Sequence, residues 1–132
     1  MKNGFVSINN NVFPTLLALS ENEQSRGLME QNWPPPIMSF VYSYPRVNKF
    51  WMNNTPSPLD IVFCNKGVVT QICKGTPYST EIIGDNSFSD LVIEYPYGTV
   101  KGAGIKIGHK VDLFMPNREE IVKIISSQIS PK

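Results

Sequence analysis

The sequence has little of what a metal site or a disulfide framework requires. It contains two cysteines, Cys64 and Cys73, and one histidine, His109. A predicted hairpin turn lies between the cysteines, so their Cα atoms should be roughly 13–17 Å apart at the usual strand rise. A disulfide requires about 7 Å or less. We therefore expect two free thiols, no metal site and no cofactor.

An excess of charge of one sign and long apolar runs are also lacking. Twelve basic and eleven acidic residues give a formal net charge of +1, which indicates neither a nucleic-acid nor a membrane partner. No apolar stretch has the length of a signal peptide or a membrane span. We expect a soluble cytoplasmic protein. The frequent asparagines, as at 9–11, fit an AT-rich genome such as that of a virus, in which case the location would be the host cytoplasm.

The motifs of common enzyme classes are missing as well. The chain has no G-x-S-x-G element, no P-loop and no dinucleotide-binding fingerprint. The single histidine lies in a Gly-His-Lys stretch, which favours a turn position over a catalytic one. The sequence therefore predicts no particular reaction. It leaves open whether the protein is an enzyme, and we prefer a non-enzymatic role.

Short strand-like segments are what the sequence does contain. They are rich in β-branched and aromatic residues and are separated by Gly and Pro. Pro14 favours an edge position for the second of them. The pattern predicts a mainly β fold, a compact β-sandwich or barrel-like domain over residues 1–115. The predicted strands cover 5–10, 12–19, 38–42, 47–52, 59–65, 68–74, 91–95 and 111–114, with a short one at 81–83.

One helix is predicted in the N-terminal half of the chain. Ser20 and Glu23 have the S-x-x-E spacing of a capping box, in which each side chain accepts from the other residue's backbone N–H. The helix should cover about 21–29. It cannot continue through the three prolines at 34–36.

A second helix is predicted at the C-terminus. Residues 116–132 carry isoleucines at helical spacing, which form one apolar stripe. We expect a helical extension that packs on the β domain or forms the interface of a homodimer. The stripe consists of Ile121, Ile124, Ile125 and Ile129.

Two carboxylates interrupt strands that are otherwise apolar. Asp60 shares a strand face with Val62 and Cys64, and Glu94 shares one with Val92. Asp60 could accept backbone hydrogen bonds from the preceding Asn-Asn-Thr-Pro-Ser-Pro loop, or contact a ligand at a pocket rim. The two carboxylates could also form a general acid/base pair, as in glycoside hydrolysis. Most such pairs are structural.

Arg26 allows two interpretations. It is spaced to pair with Glu23 or Glu30 on the surface of the helix. It could instead turn inward and pair with Asp60 or Glu94. The adjacent glycine would let the helix end approach the sheet closely.

Trp51 allows two interpretations as well. An aromatic residue between Phe50 and Met52 usually belongs to a core. The neighbouring Asn54 and Thr55, together with an acidic side chain, are also typical of the rim of a sugar- or peptide-binding site.

Six segments in this order resemble the domain of unknown function 192 family. They are SRGLM at 25–29, IMSFVY at 37–42, FWMNNT at 50–55, PLDIVF at 58–63, LVIE at 91–94 and GIKIGHKV at 104–111. The resemblance implies a compact, mainly β, sandwich-like domain and no known activity. The polar signature of the family falls on Arg26, Trp51, Asn54, Thr55, Asp60 and Glu94.

These observations predict a non-enzymatic module that binds a small ligand, a carbohydrate or a peptide. Its ligand-binding residues would be the six of the polar signature. One alternative is a hydrolase that uses Asp60 and Glu94 as catalytic residues. The other is a structural or interaction protein without a pocket, whose signature only builds the fold.

Overall fold

The structure, a computed structural model, describes residues 1–115. It consists of one seven-stranded sheet and two short helices, so the mainly β prediction is confirmed. The strands are β1 (Lys2–Ile8), β2 (Asn11–Ala18), β3 (Met38–Val47), β4 (Leu59–Asn65), β5 (Val68–Gly75), β6 (Phe88–Pro96) and β7 (Val111–Phe114). The helices are α1 (Glu21–Arg26) and α2 (Thr99–Ala103).

The sheet curls into a half-barrel. Its strand order is β5-β4-β6-β3-β2-β1-β7, and β2 and β3 pair in parallel whereas the other neighbours are antiparallel. The two edges meet at one end, because the Val69 N–H donates to the His109 carbonyl at 2.9 Å and the Val111 N–H donates to the Gly67 carbonyl at 2.9 Å. Both edge strands are therefore partly paired.

Apolar side chains are buried on both faces of the curled sheet, most completely at β4 and β6. The inner cluster consists of Val6, Ile8, Val62, Cys64, Val69, Ile93, Tyr95, Ile105 and Val111. The outer cluster consists of Ala18, Leu28, Met38, Phe40, Met52, Leu59, Ile61, Phe63 and Val92. Because β4 and β6 contribute to both clusters, they appear in the sequence as nearly continuous apolar runs.

The β4–β5 hairpin matches its prediction. Lys66 and Gly67 both have positive φ, 50° and 77°, which is typical of the two-residue turn that fits the strand twist. Cys64 pairs with Val69 across the hairpin. Both cysteines are free thiols, as expected.

Helix α1 begins as predicted and ends earlier. The Ser20 Oγ accepts from the Glu23 N–H at 3.1 Å, and the Glu23 carboxylate accepts from the Ser20 N–H at 3.1 Å. The helix stops at Arg26 and not at residue 29, because Gly27 has φ 51° and ψ −132°, a conformation outside the helical region.

Several other boundaries differ from the prediction. Strand β3 continues through Pro45, because an irregularity between Val41 and Arg46 takes the proline out of the ladder. Segments 48–52 and 81–83 form a single bridge and no strands. Pro14 lies inside the sheet and not on an edge strand, but β2 pairs with β3 only from Leu16 to Ala18.

Helix α2 lies in a segment for which no helix was predicted. Its five residues lie between Gly98 and Gly104, both with positive φ. The predicted C-terminal helix, 116–132, lies outside the described residues. Within residues 1–115, neither helix has the length and apolar character that crossing a bilayer demands.

Candidate functional site

A cavity of about 420 Å³ opens on the outer face of the sheet. The C-terminal end of α1 forms one wall, and the segment 46–51 forms the other. Phe40 and Tyr42 of β3 and Glu94 of β6 also line it. Volumes of this size are common for sites that hold small molecules.

The Glu94 carboxyl and the Asn48 amide are the most deeply buried polar groups of this cavity. Glu94 is only 4% exposed, and on the neighbouring strands it lies beside Met38 and Ile61, both apolar and buried. Among residues 1–115, no group donates a hydrogen bond to the carboxyl and no cation pairs with it. Burial raises the pKa of Glu94 to about 8, so the carboxyl is mostly protonated at neutral pH.

Gly27 allows the end of α1 to lie directly over this carboxyl. A Cβ at this position would be 3.3 Å from the Phe40 ring and 3.7 Å from Oε1 of Glu94. Its φ of +51° also favours glycine. The close approach expected between the helix end and the sheet is therefore present.

Aromatic rings form the wall beside Glu94. Phe50 packs edge-on against Phe40, with centroids 5.0 Å apart, and against Phe63 at 5.8 Å. Trp51 lines the cavity and is 48% exposed. The core interpretation for Trp51 is wrong, because its side chain is about half exposed whereas Met52 is fully buried and Phe50 packs against Phe40.

Tyr42 and Arg46 lie on the β3 side of the cavity. Arg46 places its guanidinium carbon 4.7 Å from the centre of the Tyr42 ring. Burial raises the pKa of Tyr42 to about 12; the charge of Arg46 opposes the rise and that of Glu94 adds to it. The Arg46 Nε donates to Asn48 Oδ1 at 2.8 Å, and the buried Asn48 amide donates to Ser89. These contacts fix the start of the 48–51 segment.

Arg26 lies at the mouth of the cavity and points outward. Its Nη2 is 3.4 Å from Oε1 of Glu30, and its side chain is 60% exposed. Arg26 therefore forms the expected surface pair and does not turn inward: neither Asp60 nor Glu94 is its partner.

Asn54 and Thr55 shape the loop that follows Trp51. Asn54 has φ 54°, and its carbonyl accepts from the Glu30 N–H at 2.8 Å. The Thr55 Oγ1 donates to the Asn53 carbonyl at 3.1 Å. Thr55 lines the cavity and Asn54 does not. The polar stretch between two apolar segments is thus a turn that positions the cavity wall.

Asp60 lies on the other face of the sheet. Its Oδ2 accepts from the backbone N–H groups of Gly98 at 2.9 Å and Val100 at 3.0 Å. Backbone donors were one of the two expected roles, but they belong to the start of α2 and not to the Asn-Asn-Thr loop. Because Asp60 pairs with Tyr95 across the ladder, whereas Glu94 pairs with Ile61, the two carboxylates face opposite ways.

In the part of the chain that the structure describes, there is no cluster of metal-binding side chains, and His109 lies in a turn. No three His, Cys, Asp or Glu side chains of residues 1–115 come together in a metal-binding arrangement. The His109 Nδ1 accepts from the Lys106 N–H at 3.0 Å, which makes it part of a turn.

Four residues of the polar signature line the cavity, and the sequence analysis missed several others. Those brought together are Arg26, Trp51, Thr55 and Glu94. The missed ones include Phe40, Tyr42, Arg46 and Phe50. Alternation along β3 places Phe40 and Tyr42 on one face with Met38, so this shared face could be predicted from the sequence. That this face is also the face of Glu94 depends on the pairing of β3 with β6.

Comparisons with known proteins identify the family. The family model of domain of unknown function 192, described as an uncharacterized ACR, matches residues 5–113, and the chain belongs to this family. No curated protein matches the chain.

Two solved structures are similar to this chain over most of its length. One is a protein of unknown function from Novosphingobium aromaticivorans, with 31% identity and a TM-score of 0.76 over 82% of this chain and 83% of that one. The other, from Sinorhizobium meliloti, is described as a proposed transcription regulator, with 28% identity and a TM-score of 0.75 over 83% and 92%. Both share the fold of this chain.

Proposed function

We propose that this domain is a non-enzymatic binding module that holds a small molecule, a sugar residue or a peptide side chain in the cavity above Glu94. The observation that carries the proposal is the Glu94 carboxyl, which is buried at the cavity and has no partner within residues 1–115. The Glu94 oxygens are not among the fully buried side-chain atoms that lack a partner, so they can be reached from the cavity. A ligand in the cavity would supply the partner that the described residues do not.

The size and lining of the cavity support the same proposal. Its volume of about 420 Å³ corresponds to about fourteen water molecules at ~30 Å³ each. The lining combines four aromatic rings with a larger set of polar and charged side chains, which include Glu21, Gln24, Arg26, Arg46, Asn48, Lys49, Thr55 and Glu94. The rings can contact apolar parts of a ligand, and the polar groups can orient it.

The alternatives have less support. A hydrolase that uses Asp60 with Glu94 needs both carboxyl groups on the same side of a substrate. They lie on opposite faces of the sheet, and Asp60 already accepts two backbone hydrogen bonds. The description of the Sinorhizobium meliloti relative raises DNA binding, but a formal net charge of +1 does not favour it.

Location, division of the chain and self-association are parts of the proposal. Two free thiols support the cytoplasm, where disulfides are rare. The solved relatives come from bacteria, which gives no support to a viral source. We retain residues 1–115 as the β domain and 116–132 as a helical extension that could join two copies.

A thermal-shift screen tests the binding function. The full chain is heated with sugars, amino acids, short peptides and small amines, each in parallel with Glu94→Gln. A ligand at one hundred times its Kd should stabilise the wild type by about 2.7 kcal/mol. Glu94→Gln should lose the shift, whereas Glu81→Gln, an exposed carboxyl outside the cavity, should keep it. A screen without hits, or a shift that survives in Glu94→Gln, contradicts the proposal.

A further inference from the structure

We propose that the ligand presents a single organic cation, an ammonium or methylated ammonium group, to the Glu94 carboxylate, and that its binding releases a proton from the site. The inference rests on the proposed function and names the chemical class of the ligand. It is carried by two independent features of the cavity, a buried acid without a countercharge among the described residues and aromatic rings that line the same cavity.

The first feature is the absence of a protein cation at Glu94 within the described residues. The two arginines of the cavity are engaged elsewhere: Arg26 pairs with Glu30 at 3.4 Å, and Arg46 contacts Tyr42 and Asn48. On the neighbouring strands, Glu94 has only Met38 and Ile61 beside it. A buried carboxyl avoids an unpaired charge either by staying protonated or by pairing with a cation. When Glu94 ionises, no cation of the described residues pairs with it, and a ligand cation would supply the countercharge.

The second feature is the aromatic lining. Phe40, Tyr42, Phe50 and Trp51 all line the cavity. A cation within about 6 Å of a ring centroid is attracted by the ring, and cages of aromatic rings recognise quaternary ammonium groups. The Arg46 guanidinium already makes such a contact with Tyr42, at 4.7 Å. Aromatic rings beside a buried acid suit an organic cation better than a neutral polyol.

The charged groups at the mouth of the cavity limit the ligand to one positive charge. Helix α1 contributes Glu21 and Arg26, β3 contributes Arg46 and the titratable Tyr42, and the adjoining segment contributes Lys49. From β4, Asp60 points to the other face of the sheet. The three cations are exposed, so salt weakens their repulsion of a positive ligand but does not remove it, and the repulsion grows with the charge of the ligand. A monocation should bind better than a polyamine.

Proton release follows from the protonation state of the empty site. Glu94, with a pKa of about 8, holds its proton at pH 7. A cation stabilises the carboxylate and lowers this pKa, so the proton leaves to solvent as the ligand binds. Affinity should therefore rise up to about tenfold per pH unit below pH 8 and level off above it.

Tetramethylammonium is the probe, because its charge does not titrate, and tert-butanol is its neutral counterpart of similar shape. Both are titrated into the full chain at pH 6, 7 and 9 and constant ionic strength, with binding followed by the NMR amide signals of Gly27 and Phe40. We expect tetramethylammonium to bind at least tenfold more tightly at pH 9 than at pH 6. The Glu94 side-chain carbon signal should show a pKa lowered by at least one pH unit when the probe is bound.

Variants and outcomes separate this inference from the proposed function. Glu94→Gln should weaken tetramethylammonium binding at least tenfold at pH 9 and remove its pH dependence, and Glu81→Gln should change neither. If Glu94→Gln does not fold, the pH dependence of tetramethylammonium binding to the wild type still tests the inference. Sugars or tert-butanol that bind while tetramethylammonium does not, or affinity without pH dependence, overturn the cation and leave the binding function standing. No binding by any probe or screened compound overturns both.

Discussion

Asp60 and Glu94 are two buried carboxylates on neighbouring strands that differ in their partners. They are 7% and 4% exposed, and β4 and β6 bring them close together along the ladder. Asp60 accepts two backbone hydrogen bonds from the start of α2. Within residues 1–115, Glu94 accepts none. One carboxylate therefore connects α2 to the sheet, and the other faces a cavity without a donor from the described residues.

The difference shows that burial alone does not assign a role to an acid. Both side chains interrupt apolar strands. What separates them is the structure over each face: the start of α2 on the inner face, and the glycine end of α1 with a cavity on the outer face. The hydrogen-bond partners therefore distinguish a structural carboxylate from a candidate binding group.

The largest expected effect is a stabilisation by Glu94→Gln at alkaline pH. The pKa of Glu94 is about 8 in the folded state, above its ordinary value of 4.5. The contribution of Glu94 to the free energy of unfolding is therefore unreduced below about pH 4.5 and falls as pH rises to about 8. The reason is that the unfolded chain releases this proton at a lower pH than the folded chain does. Gln has no proton to lose. Urea unfolding should show the variant more stable by on the order of 4 kcal/mol at pH 9 and nearly unchanged at pH 4.5.

The pH series of the wild type is the internal check on this prediction. Glu81→Gln serves as the control for removing a carboxylate at an exposed position. Wild-type stability that does not decline relative to Glu94→Gln between pH 5 and pH 8 would mean that the folded protein holds Glu94 ionised. The contrast between the two carboxylates would then be lost.

Asp60→Ala should have the next largest effect, in the opposite direction. It removes the acceptor of the Gly98 and Val100 N–H groups and should lower the free energy of unfolding by about 2–3 kcal/mol. Asp60→Asn keeps an acceptor oxygen and loses the charge, so we expect about 1 kcal/mol. Urea unfolding at pH 7 measures both. An Asn variant as stable as the wild type would contradict the structural role of Asp60.

The fold was predictable where the signal is local. Strand β4 and the β4–β5 turn were read from composition and turn residues, and the capping box of α1 from its spacing. Where neighbouring structure overrides local preference, the prediction failed. Strand β3 passes Pro45 at an irregular step, and α2 is too short to show a helical pattern.

The site was less predictable, because it depends on long-range geometry. The backbone donors of Asp60 lie 38 and 40 residues away along the chain. The faces of Asp60 and Glu94 follow from the register between β4 and β6, which no local pattern specifies. The sequence supplied four lining residues, Arg26, Trp51, Thr55 and Glu94. Which acid lacks a partner could be learned only from the structure.

A smaller effect is expected for Gly27→Ala, which tests whether the end of α1 lies directly over Glu94. The backbone at Gly27, with φ 51° and ψ −132°, disfavours any side chain, and the added methyl would lie close to Phe40 and Glu94. We expect a loss of about 1–2 kcal/mol in the free energy of unfolding. Gly102→Ala is the control, because a Cβ there has no atom of the described residues within 4 Å. Equal stability of the two variants would argue against the close approach of α1.

The smallest effect should come from Arg26→Ala, and it tests whether Glu94 truly lacks a cation. The Arg26 pair with Glu30 is exposed, and exposed pairs of this spacing contribute about 0.3–0.5 kcal/mol. The free energy of unfolding should therefore fall by less than about 0.5 kcal/mol. If Arg26 instead neutralised Glu94, its removal would raise the pKa of that carboxyl further and steepen the loss of stability between pH 5 and pH 8. Urea unfolding of Arg26→Ala across that range should give a curve parallel to that of the wild type, because Arg26 pairs with Glu30 and not with Glu94.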